Sequence, residues 1–139
     1  MKAKFVSEGI ANDKANSAIE NWKRFNNMDQ DEKDDLLNNA IEEEDLEEIV
    51  LLLDNGGDID NDLGYPLYLA VSTGNIEIIK LLLSKNASIT FGAGDDAIEI
   101  GTGGDQDEYL KIENLIKNSG NPKINRDEWY YDMPKHRRK

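Results

Sequence analysis

An all-α fold of stacked antiparallel helix pairs is what this sequence predicts, and three observations predict it. Apolar residues recur at helical spacing: Ile76, Ile79, Leu82 and Leu83 form one stripe along a helix. Pro66 and Gly74 precede that stripe. Pro66, with its fixed φ and missing N–H, suits a helix start, and Gly74 permits a tight turn between two helices. The pattern also recurs. Ala40 overlays Ala70, Leu46 overlays Ile76, Ile49 overlays Ile79, Leu51 to Leu53 overlay Leu81 to Leu83, and Gly57 and Ile59 overlay Ala87 and Ile89, a shift of about 30 positions. One helix pair is too small to hide its own stripe, so successive pairs must stack.

The elements follow in order. Residues 1–14 show no periodicity. Ser17-Ala18-Ile19-Glu20 has the capping-box spacing of a helix start. Ala18, Ile19, Trp22 and Phe25 then share one face, which predicts an N-terminal helix covering the first pair. The first pair runs from Leu36 to Ile59, and the connector Asp58 to Gly64 is short. The second pair occupies Leu63 to Thr90. A degenerate third pair is expected, with Ala97 to Gly101 as its first helix and Tyr109 to Gly120 as its second helix and stop. The glycines of Gly92-Ala-Gly94-Asp-Asp-Ala97 are expected in a loose turn. Asn121-Pro122 ends the last helix.

The stretch from Leu63-Gly-Tyr-Pro-Leu-Tyr to Asn86-Ala-Ser-Ile-Thr90 resembles one complete ankyrin repeat, and the overlays above extend the resemblance over roughly residues 34 to 120. It implies a short ankyrin-repeat solenoid with an N-terminal capping helix and a C-terminal extension. The expected organisation is one domain: 1–33 as arm and capping helix, 34–120 as repeats, 121–139 as an aromatic and basic extension. The shortened connector implies a trimmed finger. The family's Thr-Pro-Leu-His start reads Tyr65-Pro66-Leu67-Tyr68 here. The hydrogen bonds that Thr and His make between repeats are therefore not expected of these side chains.

Composition narrows the function. Without cysteine there is no disulfide framework, thiolate nucleophile or zinc–thiolate site. The N-terminal residues lack the apolar run of a secretory signal, and no stretch approaches the roughly 20 apolar residues of a membrane span. The expectation is a soluble, cytoplasmic protein with no membrane association. Acidic residues number 29 against 16 basic ones, a net charge of −13, which opposes direct binding to nucleic acid. The excess lies within Asp29 to Asp62, where Lys33 is the only base. Its plain reading is a solvated face. Its functional readings are steering of a basic partner and imitation of DNA phosphates.

Catalytic and cofactor chemistry is not expected. The single histidine, His136, makes neither a triad nor a metal cluster. Asp58-Ile-Asp60-Asn-Asp62-Leu-Gly64 fails as a calcium loop, because Leu63 and Leu69 stand where an EF-hand needs Gly and Glu. Gly92-Ala-Gly94 lacks the βαβ setting of a dinucleotide loop. No metal or cofactor is expected.

The resemblance implies a non-catalytic protein-binding module that uses turn tips and inner-helix positions. By motif match these are Glu42, Glu43, Ser72 and Thr73 on the inner helices, Asn61, Asp62, Leu63 and Tyr65 at the tip, and Phe91 and Asp95 in the third repeat. An exposed Tyr65 or Phe91 would be the energetic anchor. The partner is a protein, and the charge suggests a basic one. The alternative is an acidic decoy inhibiting a nucleic-acid-binding protein. A third reading places a docking motif in the cluster Trp129-Tyr130-Tyr131, which could instead fold back over the third repeat.

Overall fold

The computed structural model of the chain describes residues 18–125, all helix and connecting turn. A short helix α1 covers 18–26. Three helix pairs follow: α2 (Gln30–Glu42) with α3 (Leu46–Asp54), α4 (Asn61–Thr73) with α5 (Ile76–Ser84), and α6 (Phe91–Thr102) with α7 (Gln106–Lys117). The first helices of the pairs stack side by side, α2 on α4 and α4 on α6. The second helices form a layer behind them.

The repetition is regular at its turning points. Each second helix opens on a capping side chain, Asp45, Asn75 or Asp105, which accepts the N–H of Glu48, Ile78 or Glu108. These caps stand 30 residues apart. The turn before each cap holds a left-handed residue on the same interval: Glu44, Gly74 and Gly104. Asp29 and Thr90 cap α2 and α6 in the same way.

The core follows the stripe. Ile49, Leu52, Ile79, Leu82, Tyr109 and Ile112 are buried from the second helices, and Leu37, Ile41, Leu67, Val71, Ala97 and Ile98 from the first. Burying each Leu or Ile is worth roughly 1.5–3 kcal/mol. No strand forms among the described residues, so the finger is a turn between α3 and α4. Polar ties replace the Thr and His network between repeats. The Asp34 carboxylate accepts the Asp58 N–H at 2.8 Å, and Asp60 accepts the Ser88 N–H at 2.8 Å. Asn38 and Asn61 exchange amide hydrogen bonds at 3.0 and 3.2 Å.

Three expectations need correction. The helix α1 buries Phe25 at 2 % exposure, but Ala18, Ile19 and Trp22 remain exposed, Trp22 at 62 %. The helix is held at its C-terminal turn, where the Arg24 guanidinium lies 4.5 Å over the Phe25 ring and pairs with Glu48. The stretch Gly92 to Ala97 is helix, not a loose turn, because α6 starts at Phe91 under the Thr90 cap. Phe91 is therefore no exposed anchor. Its ring is 6 % exposed and belongs to the core. The aromatic cluster Trp129 to Tyr131 lies outside the described residues.

Candidate functional site

The site is built on the outer strip of α2. Asp31, Asp35, Asn38 and Glu42 are spaced four, three and four residues apart, which puts them in one row along a helix. The equivalent row on α4 is Asn61, Tyr65, Tyr68 and Ser72. Tyr65 and Tyr68 stack with ring centroids 5.9 Å apart and planes 14° from parallel. Along the α2 row, and bordered from α4 by Tyr65, runs an open groove of about 740 Å³, lined by Asp29, Asp31, Glu32, Asp35, Leu36, Asn38, Asn39, Glu42 and Tyr65. A smaller hollow of about 410 Å³ continues it over Asp34, Asn61 and Asp62. No basic side chain lines either one. Lys33, the single base in this stretch, points away to Gly56 at the back of α2.

The start of α4 forms the tip beside this groove. Asp62, Leu63 and Gly64 all adopt left-handed backbone, with φ of 52°, 60° and 92°, before the regular helix resumes at Tyr65 and Pro66. Gly64 fits this conformation, and a Cβ there would meet the Ser88 carbonyl at 2.5 Å. Leu63 does not fit it. A bulky residue in left-handed backbone costs on the order of 1–3 kcal/mol. Its side chain recovers nothing by burial, being 99 % exposed.

The turn is braced from below by Asp60. Burial alone would raise the Asp60 carboxyl. Hydrogen bonds from Lys123 and from the N–H and hydroxyl of Ser88, with the Lys123 charge, outweigh it and hold the group below the ordinary carboxylate value. Lys123 Nζ lies 2.7 Å from Oδ2. A depressed carboxylate stabilises the fold above its unfolded value, and that contribution is lost as pH falls through the folded value. Lys123→Met is expected to cost at most about 1 kcal/mol at pH 7, given the partial exposure of both partners. The deficit should shrink at pH 3. Urea denaturation at both pH values checks this, and an equal deficit at both would contradict it.

The structure brings together Glu42, Asn61, Asp62 and Tyr65 of the sequence-predicted positions, with Leu63 at the adjoining tip. It does not bring the others into the groove, although Ser72 ends the α4 row. Glu43 sits exposed at the end of α2, within 3.4 Å of the Asn39 amide. The Ser72 and Thr73 hydroxyls donate to the carbonyls of Tyr68 and Ala70 in their own helix. Asp95 accepts the Tyr109 hydroxyl. Sequence reasoning missed Asp31, Asp35 and Asn38 as a row, and Tyr68 as the partner of Tyr65. The signal was the spacing inside the acidic run. Among the described residues, no group of three acidic or histidine side chains is placed to hold a metal ion, and no helix is long and apolar enough to cross a membrane.

The comparisons with known proteins agree with the architecture. The family profile described as ankyrin repeats in three copies matches residues 6–92. It starts well before the first pair and stops at the beginning of α6. Among curated proteins, the ankyrin repeat, SAM and basic leucine zipper domain-containing protein 1 of Dasypus novemcinctus is 29% identical over 101 residues, which cover 68% of this chain and 21% of that protein. Its counterpart in Neofelis nebulosa is 28% identical over the same length and coverage. The chain thus spans about a fifth of the length of the relatives it matches. No solved structure matches at comparable stringency. With three stacked helix pairs repeating every 30 residues and a matching profile over more than half its length, the chain belongs to the ankyrin repeat family, whose members generally serve as non-catalytic protein–protein interaction modules.

Proposed function

We propose that the chain binds a basic segment of a protein partner in the groove between α2 and α4, with Leu63 and Tyr65 as anchors. One observation carries this: an aromatic ring shares the groove with five carboxylates and no base. That combination suits an arginine-rich segment, since a guanidinium can stack on a tyrosine face while donating to carboxylates. Charge alone would steer the partner, with the effect screened beyond about 8 Å at physiological salt. The exposed Leu63 and half-buried Tyr65 would supply salt-resistant affinity.

Leu63→Asn separates binding from folding. Asparagine tolerates left-handed backbone, so the variant should be as stable as the parent, or more stable by about 1 kcal/mol. Binding should weaken about tenfold or more, the loss of an anchor worth at least about 1.4 kcal/mol. The measurement is a pull-down with parent and variant at low and high salt, with mass spectrometry of the bound proteins. A partner held by the parent at high salt and lost by the variant supports the reading. Recovery of only basic nucleic-acid-binding proteins that wash off with salt, equally from both, supports the acidic decoy instead.

A further inference from the structure

The last helix pair presents a face on which no further pair stacks among the described residues. On α6, Asp95 and Glu99 are one turn apart, off the side on which Gly101 packs against α4. On α7, the buried Tyr109 and Glu113 are likewise one turn apart, and the Tyr109 hydroxyl donates to Asp95, tying α7 to α6. Glu113 is the odd member. Its side chain is 1 % exposed, yet Oε2 meets no hydrogen-bond partner among the described residues. Its other oxygen lies 3.9 Å from Lys117 Nζ. Burial raises the Glu113 carboxyl, Lys117 opposes it only in part, and the nearby Asp95 charge adds a smaller upward push. A buried acceptor left without a donor is costly and points to an incoming group.

The chain itself supplies a candidate at the right place. After α7 it turns at Gly120, ties the Asn121 amide to the Ala87 carbonyl at 2.6 Å, and returns Ile124 to the core. Fourteen residues follow Asn125: Arg126-Asp-Glu-Trp129-Tyr130-Tyr131-Asp-Met-Pro-Lys135-His-Arg137-Arg138-Lys139. Trp129 is four residues on, within about 14 Å of Asn125, and Lys135 is ten on, within about 36 Å. The aromatic residues carry N–H and O–H donors, and five of the residues are basic, complementary to Asp95, Glu99 and Glu113.

We propose that residues 126–139 of the same chain dock on the outward face of α6 and α7, with Trp129 and its neighbouring tyrosines over Tyr109 and Glu113 and the basic end along Asp95 and Glu99. The segment closes the last pair against stacking by another copy. This is independent of the groove between α2 and α4.

The test uses the full chain carrying Trp22→Phe, a change at an exposed position that leaves Trp129 as the sole indole. Acrylamide quenching of Trp129 is expected to be at least threefold weaker than in the free peptide 126–139. Glu99→Lys, and separately Glu113→Ala, should restore at least half of the lost quenching. Glu99→Lys keeps the test valid if Glu113→Ala fails to fold. Quenching equal to that of the free peptide overturns the proposal. So does shielding that disappears on dilution as a larger species dissociates, which would make the occupant a second copy.

Discussion

Gly101→Ala is expected to destabilise the fold by about 3 kcal/mol, although alanine is the better helix former by about 1 kcal/mol. The reason is the closeness of α6 to α4. A Cβ at position 101 would overlap the Val71 carbonyl oxygen and lie 3.3 Å from that of Ser72. Both neighbours are backbone atoms at the end of α4, so no side chain can swing aside. Position 101 is the third of a set. Ile41 and Val71 occupy it in the earlier pairs, and glycine lets the third pair approach closely. Thermal denaturation followed by circular dichroism should show a drop on the order of 10–20 °C. An unchanged or raised midpoint would mean that α6 sits farther from α4 than described.

Phe91→Ala separates the two accounts of the third repeat. The sequence offered Phe91 as an exposed binding anchor, and the structure places it in the same buried core as Ala97 and Ile98 of its helix. Deleting a buried phenylalanine ring costs roughly 3–5 kcal/mol through lost burial and a residual cavity. The variant should therefore lose stability, and it should lose partner binding only as far as it unfolds. Urea denaturation with a binding measurement at low temperature distinguishes the cases. Normal stability with abolished binding would restore the exposed anchor.

What the sequence made legible follows from what each residue can signal. The second pair was plain because Pro66, Gly74 and the isoleucine and leucine stripe each mark one event, a start, a turn and a buried face. The third pair was obscured by the closeness that defines it. Gly92, Gly94 and Gly101 break the helical pattern in a sequence, but Gly94 is buried within α6, and Gly101 abuts α4 because it lacks a side chain. That shifted the expected start of α6 to Ala97 and left Phe91 in a supposed connector.

The candidate groove was legible only in part. The acidic run was visible as charge, but a run does not reveal which carboxylates share a row until the helix register is known. Asp31, Asp35 and Glu42 separate from Asp34 only at that point. Asp34 is then seen binding the Asp58 N–H and the Gln30 amide. The left-handed backbone at Leu63 carried no sequence signal of its own, since leucine does not mark that conformation. It is imposed by the short turn, fixed below by Asp60 and above by Pro66.

Lys123 follows the final helix pair, yet it grips Asp60 at the foot of the second, 63 positions earlier in the chain. A stack joined only neighbour to neighbour can be peeled one layer at a time from its end. Here the last layer is buckled to the one before it by a strap passing across the outside. Tension applied at the C-terminal side loads that strap and the Asn121 tie before it reaches α7. The strap is weak in equilibrium terms, since both its ends are partly wet. Its effect is on the order of unravelling: the third pair is released after the buckle opens, not before.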